Sequence, residues 1–162
     1  MSELRVGLGV DAHAFAAGVR LVLGGVEIEA PRGLAGHSDG DVIAHALIDA
    51  VLGAAGLGDI GSLFPPGEPE WEGASSLDLL RRAVAEAREA GWQLINADCI
   101  LIGEEPRIAA LREQMRTHLA EAAGVDSERV NVRATTTDEL GFAGRGEGLA
   151  AEAVALLSRS GE

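Results

Sequence analysis

The 162-residue chain contains few basic residues, few aromatic residues and a single thiol. Its 13 basic residues stand against 26 acidic ones, and the formal charge is −13. This charge argues against a nucleic-acid partner, because phosphate backbones are bound mainly by Lys and Arg. It still allows a phosphorylated small molecule, since metal ions and backbone N–H groups can bind phosphate on an acidic protein. Cys99 has no intramolecular disulfide partner and lies in an apolar run, which predicts a buried, inert thiol.

The sequence also lacks long apolar runs. None approaches the ~20 residues of a membrane-spanning helix, and no basic-then-apolar signal opens the chain. We therefore expect a cytoplasmic protein that has no membrane partner. With 47% hydrophobic and 24% charged residues, the composition is that of a globular protein, and the length predicts a single domain over residues 1–162.

Strand-like and helix-like segments alternate along the chain. Short apolar or alternating runs predict strands at 4–10, 92–102 and 130–137, and a hairpin over 21–29 that turns at Gly24-Gly25. Glycines 7 and 9 predict that another segment approaches the first strand closely. Helical periodicity and capping signals predict helices at 39–55, at 75–91 and from Pro106 to Gly124. The alternation predicts an α/β fold with helices packed on one sheet.

Two polar motifs, one at a strand end and one at a helix start, could hold a metal ion. Ser38 and Asp41 have the spacing of a helix-capping pair, and His45 follows Asp41 by about one turn. Asp11 and His13 end an apolar strand, whose period of two points both side chains the same way. Two histidines and a carboxylate indicate a divalent-metal site with an open position. A capped helix, a polar core histidine and a polar strand end explain the same residues without a metal.

Five segments match the motifs of one enzyme family, in order and over nearly the whole chain. They are Gly9-Val-Asp-Ala-His13; Gly36-His-Ser-Asp-Gly-Asp41 with His45; Leu57-Gly-Asp-Ile-Gly61 before Phe64-Pro65; Ala134-Thr-Thr-Thr137; and Leu140-Gly-Phe142 with Gly144-Arg-Gly-Glu-Gly148. Through this set the chain resembles the 2-C-methyl-D-erythritol 2,4-cyclodiphosphate synthase family. The resemblance implies a lyase of the non-mevalonate isoprenoid pathway. In its substrate, 4-diphosphocytidyl-2-C-methyl-D-erythritol 2-phosphate, the 2-phosphate attacks the β-phosphate, and CMP leaves as the cyclic diphosphate forms.

The resemblance assigns roles position by position. One zinc ion per subunit would be held by Asp11, His13 and His45, and a second ion, Mg²⁺ or Mn²⁺, by Asp138. His37 and Thr136 would be catalytic residues that donate to the phosphates during displacement. Substrate contacts are further implied at Asp11, His13, His37, Ser38, Asp59, Ile60, Gly61, Phe64, Glu68, Gly103, Pro106, Arg107, Ile108, Ala109, Thr135, Thr136, Thr137, Asp138, Phe142 and Arg145, with the cytosine pocket at the 103–109 turn.

Two acidic residues near His45 and two departures from the family pattern bear on these roles. Asp41 and Asp49 lie near His45 on the predicted helix, and either could orient it or serve only as a cap or a solvated residue. Where the family often reads Phe-Pro-Asp-Thr-Asp-Pro, the segment 64–69 has proline at the first acidic position and Glu68 at the second. Asp138 replaces the usual glutamate, so it must reach the second ion from a different backbone position or through water.

The family fold implies a single domain of mixed α/β (α+β) type. Helices pack on one face of a four-stranded-type sheet, and three copies form a homotrimer with active sites between subunits and sheets around the threefold axis. The segment 147–158 becomes a strand, against its helix-like composition, because burial overrides weak propensity. Phe142, Arg145 and Glu152 correspond to residues that face a cavity on the axis. That cavity suits an isoprenoid diphosphate, unless Arg145 and Glu152 pair only to hold the trimer together.

Two other functions fit parts of the pattern. Two histidines and one carboxylate also suit iron(II), as in mononuclear non-haem iron oxygenases, which consume oxygen. A non-catalytic nucleotide-binding module would bind CDP-like ligands and leave the substrate unconverted. The synthase instead releases CMP without oxygen.

Overall fold

The computed structural model describes residues 2–159, whose strands form a five-stranded mixed sheet and a separate two-stranded sheet. The main sheet has the order β4-β1-β7-β5-β6; β5 and β6 are parallel, and the other neighbours are antiparallel. The small sheet, β2 with β3, confirms the predicted hairpin and its Gly24-Gly25 turn. The strands are β1 Glu3–Ala17, β2 Leu21–Leu23, β3 Val26–Ile28, β4 Arg32–Leu34, β5 Gln93–Ile102, β6 Val130–Thr135 and β7 Gly148–Arg159.

The three long helices occur where the sequence predicts them, with differences at their starts. The helices are α1 Val42–Ala55, α2 Ile60–Leu63, α3 Ser76–Glu89, α4 Arg112–Ala123 and α5 Gly141–Gly144. The first begins at Val42 rather than near residue 39, because Asp41 and not Ser38 caps it. The predicted helix start at Pro106 is wrong. The chain first turns to bury Ile108, whose backbone (φ −103°, ψ 5°) is not helical, and the helix begins at Arg112.

Helix α1 packs against the main sheet and lies closest to β1. A Cβ atom on Gly7 would overlap the carbonyl oxygen of Ala50, and one on Gly9 would overlap that of Ala46. The close approach predicted from the two glycines is thus confirmed, and the approaching segment is the helix backbone itself. This contact places His45, the residue before Ala46, beside the strand that carries Asp11 and His13.

Strand β7 occupies the centre of the main sheet, between β1 and β5. The strand implied for 147–158 is therefore confirmed, and the helix-like composition of the segment has a packing explanation. Its inward positions Ala151, Ala153, Ala155 and Leu157 are buried, and alanine there leaves room for α1. Cys99 on the neighbouring strand is also buried as predicted, and burial raises the pKa of its thiol to about 12.

The side of β1 that faces away from α1 is apolar and exposed. Leu4, Val6, Leu8 and Val10 are 56–68% exposed. Beside them on β7, Val154 is exposed as well. Helices thus cover one face of the main sheet, whereas the apolar side chains of β1 on the other face are largely uncovered. Among residues 2–159, no helix has both the length and the apolar character to cross a bilayer.

Candidate functional site

Asp11 and His13 of β1 meet His45 of α1, as the sequence predicts. Oδ2 of Asp11 lies 2.7 Å from Nε2 of His13 and 3.0 Å from Nδ1 of His45. The two ring nitrogens are 3.2 Å apart, and all three ligand atoms lie within 4.8 Å of one another. One carboxylate oxygen and two imidazole nitrogens at this spacing fit a single divalent ion.

The protonation of this cluster reflects its mutual contacts. Burial by itself would raise the pKa of Asp11, but hydrogen bonds from His13 and His45 outweigh burial and lower the pKa to about 2. The hydrogen bond to Asp11 raises the pKa of His13, although burial of the ring opposes the shift. The carboxylate is therefore ionised throughout the physiological range, as a metal ligand must be.

A partly buried chain of polar groups on the far side of His45 orients its ring. Nε2 of His45 lies 2.9 Å from the hydroxyl of Ser38 and 2.9 Å from that of Ser76. Asp39 in turn accepts hydrogen bonds from the hydroxyl and the backbone N–H of Ser76. With Nε2 occupied in this way, Nδ1 points toward Asp11 and His13. Such contacts fix the rotamer and tautomer of a ligand histidine.

The sequence reasoning missed Asp39 and Ser76. The spacing of Ser75 and Asp78 predicts a capping pair at the start of α3, but the Ser75 side chain makes no capping bond and Asp78 pairs with Arg81. Ser76, one residue further, is fully buried. A serine at a position that must face the core was the available signal for a buried polar contact.

Neither aspartate proposed as a partner of His45 contacts its ring. Asp41 caps α1 through the N–H of Ala44 (3.1 Å) and also accepts from the N–H groups of Gly24 (2.9 Å) and Gly25 (2.7 Å). It is a cap that also ties the hairpin to the helix. Asp49 accepts from the N–H of Ile60 at 2.7 Å and thereby fixes the start of α2. Of the two interpretations left open, the structural one holds for both residues.

The cluster of Asp11, His13 and His45 lies in a cleft of about 390 Å³. Asp59 stands at its edge as the N-cap of α2, where it accepts two hydrogen bonds from Ser62. Phe64 packs edge-to-face on Trp71, and this contact joins the two ends of the loop 64–71 at the wall of the cleft. The predicted site residues that line this cleft are Asp11, His13, His37, Ser38, His45, Ile60, Gly61, Phe64 and Glu68.

A second cleft, of about 430 Å³, lies at the end of β5 and β6. The 103–109 turn forms one wall, and residues 134–136 at the end of β6 form the other. The predicted site residues lining it are Gly103, Pro106, Arg107, Ile108, Ala109, Thr135 and Thr136. Just beyond it, the hydroxyl of Thr136 lies 3.5 Å from a carboxylate oxygen of Asp138. The structure therefore divides the predicted site, within one protomer, between two clefts.

The remaining predicted residues lie outside both clefts. Thr137 is half-buried and bonded to Glu104, whereas Phe142 is exposed after the loop. Arg145 forms two hydrogen bonds with Glu147, at 2.9 and 3.2 Å. Glu152 is exposed on β7, on the same side of the sheet as Val154.

Comparison with known proteins places the chain in a family. Residues 4–158 match the model of the YgbB family. The protein of Moorella thermoacetica named 2-C-methyl-D-erythritol 2,4-cyclodiphosphate synthase is 53% identical over 95% of this chain and 94% of its own length. Its namesake from Rubrobacter xylanophilus is 55% identical, over 99% and 98% respectively.

Solved structures of similar sequence have the same fold as this chain. The structure described as IspF of Plasmodium falciparum in complex with CDP superposes with a TM-score of 0.84 at 30% identity, covering 98% of this chain and 97% of that one. The bifunctional IspDF of Campylobacter jejuni superposes with a TM-score of 0.94 at 42% identity, covering 99% of this chain and 43% of that one. The chain therefore belongs to the YgbB family, the family of the 2-C-methyl-D-erythritol 2,4-cyclodiphosphate synthases.

Proposed function

We propose that the protein converts 4-diphosphocytidyl-2-C-methyl-D-erythritol 2-phosphate into 2-C-methyl-D-erythritol 2,4-cyclodiphosphate. An oxygen of the 2-phosphate forms a bond to the β-phosphorus, the bond from that phosphorus to the α–β bridging oxygen breaks, and CMP leaves with that oxygen. The reaction consumes no water and is that of a phosphorus–oxygen lyase. The observation that carries the proposal is the Asp11, His13 and His45 cluster at the wall of a cleft large enough for a phosphorylated substrate.

The donor set fits the proposed zinc ion, since zinc prefers imidazole nitrogen and carboxylate oxygen in a compact, four-coordinate site. When bound, the ion would neutralise phosphate charge and polarise a phosphate oxygen. Asp138 is exposed, and one oxygen of its carboxylate lies 3.5 Å from the hydroxyl of Thr136; this position suits Mg²⁺ or Mn²⁺ held jointly by one carboxylate and substrate phosphates.

The residues of the chain then have distinct tasks. His37 and Ser38 line the metal cleft and would donate to the 2-phosphate, whereas Thr136 would donate to the phosphate that receives the attack. The exposed carboxylate of Asp59 would accept hydrogen bonds from substrate hydroxyls. The 103–109 turn would hold the cytosine. Holding two anionic phosphates in contact is the physical difficulty of the reaction, and positioned donors and cations meet it.

A homotrimer with active sites between subunits completes the proposal. The zinc ligands, His37 and Ser38 line one cleft, whereas the nucleotide turn and Thr136 line the other, so a neighbouring copy would bring its second cleft to each metal cleft. The uncovered apolar face of β1 supports such an assembly, because exposed apolar patches of this kind usually mark an interface. The cytoplasmic location stays a prediction.

An isoprenoid diphosphate in the trimer's axial cavity is a further part of the proposal. The exposed ring of Phe142 and the guanidinium of Arg145 suit an apolar chain and a diphosphate respectively. The ligand must compete with Glu147, which already pairs with the arginine. Calorimetry with geranyl diphosphate tests this, and no heat of binding would end the ligand hypothesis. Loss of trimer without loss of ligand in Arg145→Ala would favour a purely structural role.

Phosphorus NMR of the purified protein with substrate, zinc and magnesium, under anaerobic conditions, tests the main proposal. We expect the cyclic diphosphate and CMP to appear together. His45→Ala should lose zinc and turnover but keep its fold, and Thr136→Ala should turn over about 100-fold more slowly with zinc content unchanged. Full activity after chelation of the metals would overturn the zinc assignment. Failure to form product anaerobically, with turnover only when oxygen is supplied, would indicate an iron oxygenase instead, and CDP binding without conversion would indicate a binding module.

A further inference from the structure

The loop after β6 has an unusual backbone. Asp138 (φ 52°) and Glu139 (φ 64°) are the two non-glycine residues with positive φ in the described part of the chain, and they are adjacent. Side-chain-bearing residues adopt this left-handed conformation at an energetic cost, so surrounding contacts must hold it. The loop also carries Thr136, so its conformation decides where the two phosphate-facing side chains point.

Glu104 provides the contacts. Its Oε1 accepts hydrogen bonds from the backbone N–H of Thr137 at 3.1 Å and from that of Glu139 at 3.2 Å. These two groups lie on either side of Asp138, so one oxygen holds the backbone before and after it. The hydroxyl of Thr137 is 3.4 Å from the same oxygen but only 2.7 Å from the carbonyl of Leu140, to which it donates its single proton. The two backbone donors therefore carry the contact.

Glu104 belongs at the same time to the wall of the second cleft. It follows β5 in the 103–109 turn, where the N–H of Gly103 donates to the carbonyl of Thr135 at 3.0 Å. That backbone bond holds the turn to β6 without any help from the Glu104 side chain. Loss of the carboxylate would therefore release the loop around Asp138 and leave the turn in place.

We propose that Glu104 is a positioning residue, which fixes Thr136 and Asp138 relative to the nucleotide-binding turn by accepting the backbone N–H groups of Thr137 and Glu139. In terms of the reaction, which rests on the proposed function, Glu104 aligns the groups that act on the phosphates and does not bind the nucleotide. Its role is that of a hydrogen-bond acceptor and not of a charge, so an amide oxygen at the same position serves equally well.

The test compares Glu104→Ala with Glu104→Gln, which keeps an acceptor at Oε1. Glu121→Ala is the matched control, since it removes the same carboxylate from an exposed position on α4. Steady-state kinetics of CMP release should show kcat of Glu104→Ala lowered about 100-fold, the loss expected from misplaced catalytic groups. The KM should change by less than about threefold, because the turn is intact. Glu104→Gln and Glu121→Ala should behave like the wild type.

A second measurement does not need turnover. Hydrogen exchange of the zinc-loaded protein should show the amides of Thr137 and Glu139 exchanging at least about tenfold faster in Glu104→Ala, and not in Glu104→Gln. If the wild type fails to cyclise the substrate while this pattern of exchange appears, the proposed function fails, but the hydrogen bonds from the loop to Glu104 are still supported. Unchanged exchange and kcat in Glu104→Ala would overturn the inference, as would a Glu104→Gln variant as impaired as Glu104→Ala.

Discussion

Replacement of Gly9 by alanine should destabilise the fold and weaken metal binding through one contact. The added methyl group would overlap the carbonyl group of Ala46 and the backbone nitrogen of Ala50. These are backbone atoms of α1, which cannot rotate away as a flexible side chain could. The helix must therefore move away from β1, in the turn that also carries His45.

The magnitude follows from two opposing effects. Overpacking of a tight contact costs about 1–3 kcal/mol, and the reduced flexibility of the unfolded chain returns about 0.5–1 kcal/mol. At the middle of these ranges the net loss of unfolding free energy is about 1.3 kcal/mol, or roughly 4 °C in Tm for a chain of this size. Displacement of His45 from Asp11 and His13 should further lower zinc affinity by about tenfold.

Gly53→Ala is the matched control for this substitution. Gly53 lies on the exposed face of the same helix, and an added Cβ would have no neighbour within 4 Å. The exchange should raise stability by about 0.5–1 kcal/mol through helix propensity. Urea unfolding of both variants at one protomer concentration, together with zinc titration, measures the effects. A Gly9→Ala protein as stable and as tight for zinc as the wild type would refute the packing argument.

Two further predictions concern the metal cluster. Ser76→Ala should bind zinc about tenfold more weakly, because the hydroxyl that orients His45 is lost. Ser75→Ala removes a side chain without a capping bond and should bind zinc like the wild type. Equal affinities of the two variants in a competition titration would show that Ser76 does not orient His45. In metal-stripped protein the raised pKa of His13 gives stability that is complete below its unfolded value of about 6.5 and lost as pH rises through the folded value. The pKa of Asp11, lowered to about 2, gives stability that is present above about 3.9 and lost toward pH 2. The Tm advantage of the wild type over His13→Asn should therefore be largest between about pH 4 and 6.5, and an advantage independent of pH would contradict the ion pair.

The cluster of Asp11, His13 and His45 was predictable because its geometry is mostly local. The two-residue period of β1 sets Asp11 beside His13, and the spacing within α1 sets His45 on the inner side of the helix. Only the contact of the helix with the strand lay beyond local rules, and Gly7 and Gly9 indicated even that. Both glycines lie against the backbone of α1. A pair of glycines on one side of a strand can therefore indicate that another segment packs closely there, before that segment is identified.

Other features depend on contacts between distant segments and gave no local signal. Ser76 reaches His45 only because α3 packs beside α1, and the two clefts separate only because of the strand order in the sheet. The capping spacing at Ser38 was misleading, since its hydroxyl instead contacts His45. The start of α4 was placed too early because burial of Ile108 outweighed the helix-start signal of Pro106. For the segment 147–158, composition alone favours a helix, whereas the family resemblance predicts the strand that the structure has.

The central place of β7 has a consequence for how the chain reaches its fold during translation. Of the described strands it is synthesised last, yet β1 and β5 each pair with it and not with each other. Until it emerges from the ribosome, those two strands have unpaired edges, and a nascent chain in that state is prone to wrong associations. The alanine-rich strand has low intrinsic tendency to pair on its own, which limits sticking to other chains before it enters the gap. The segment whose composition least resembles a strand is thus the one that closes the sheet.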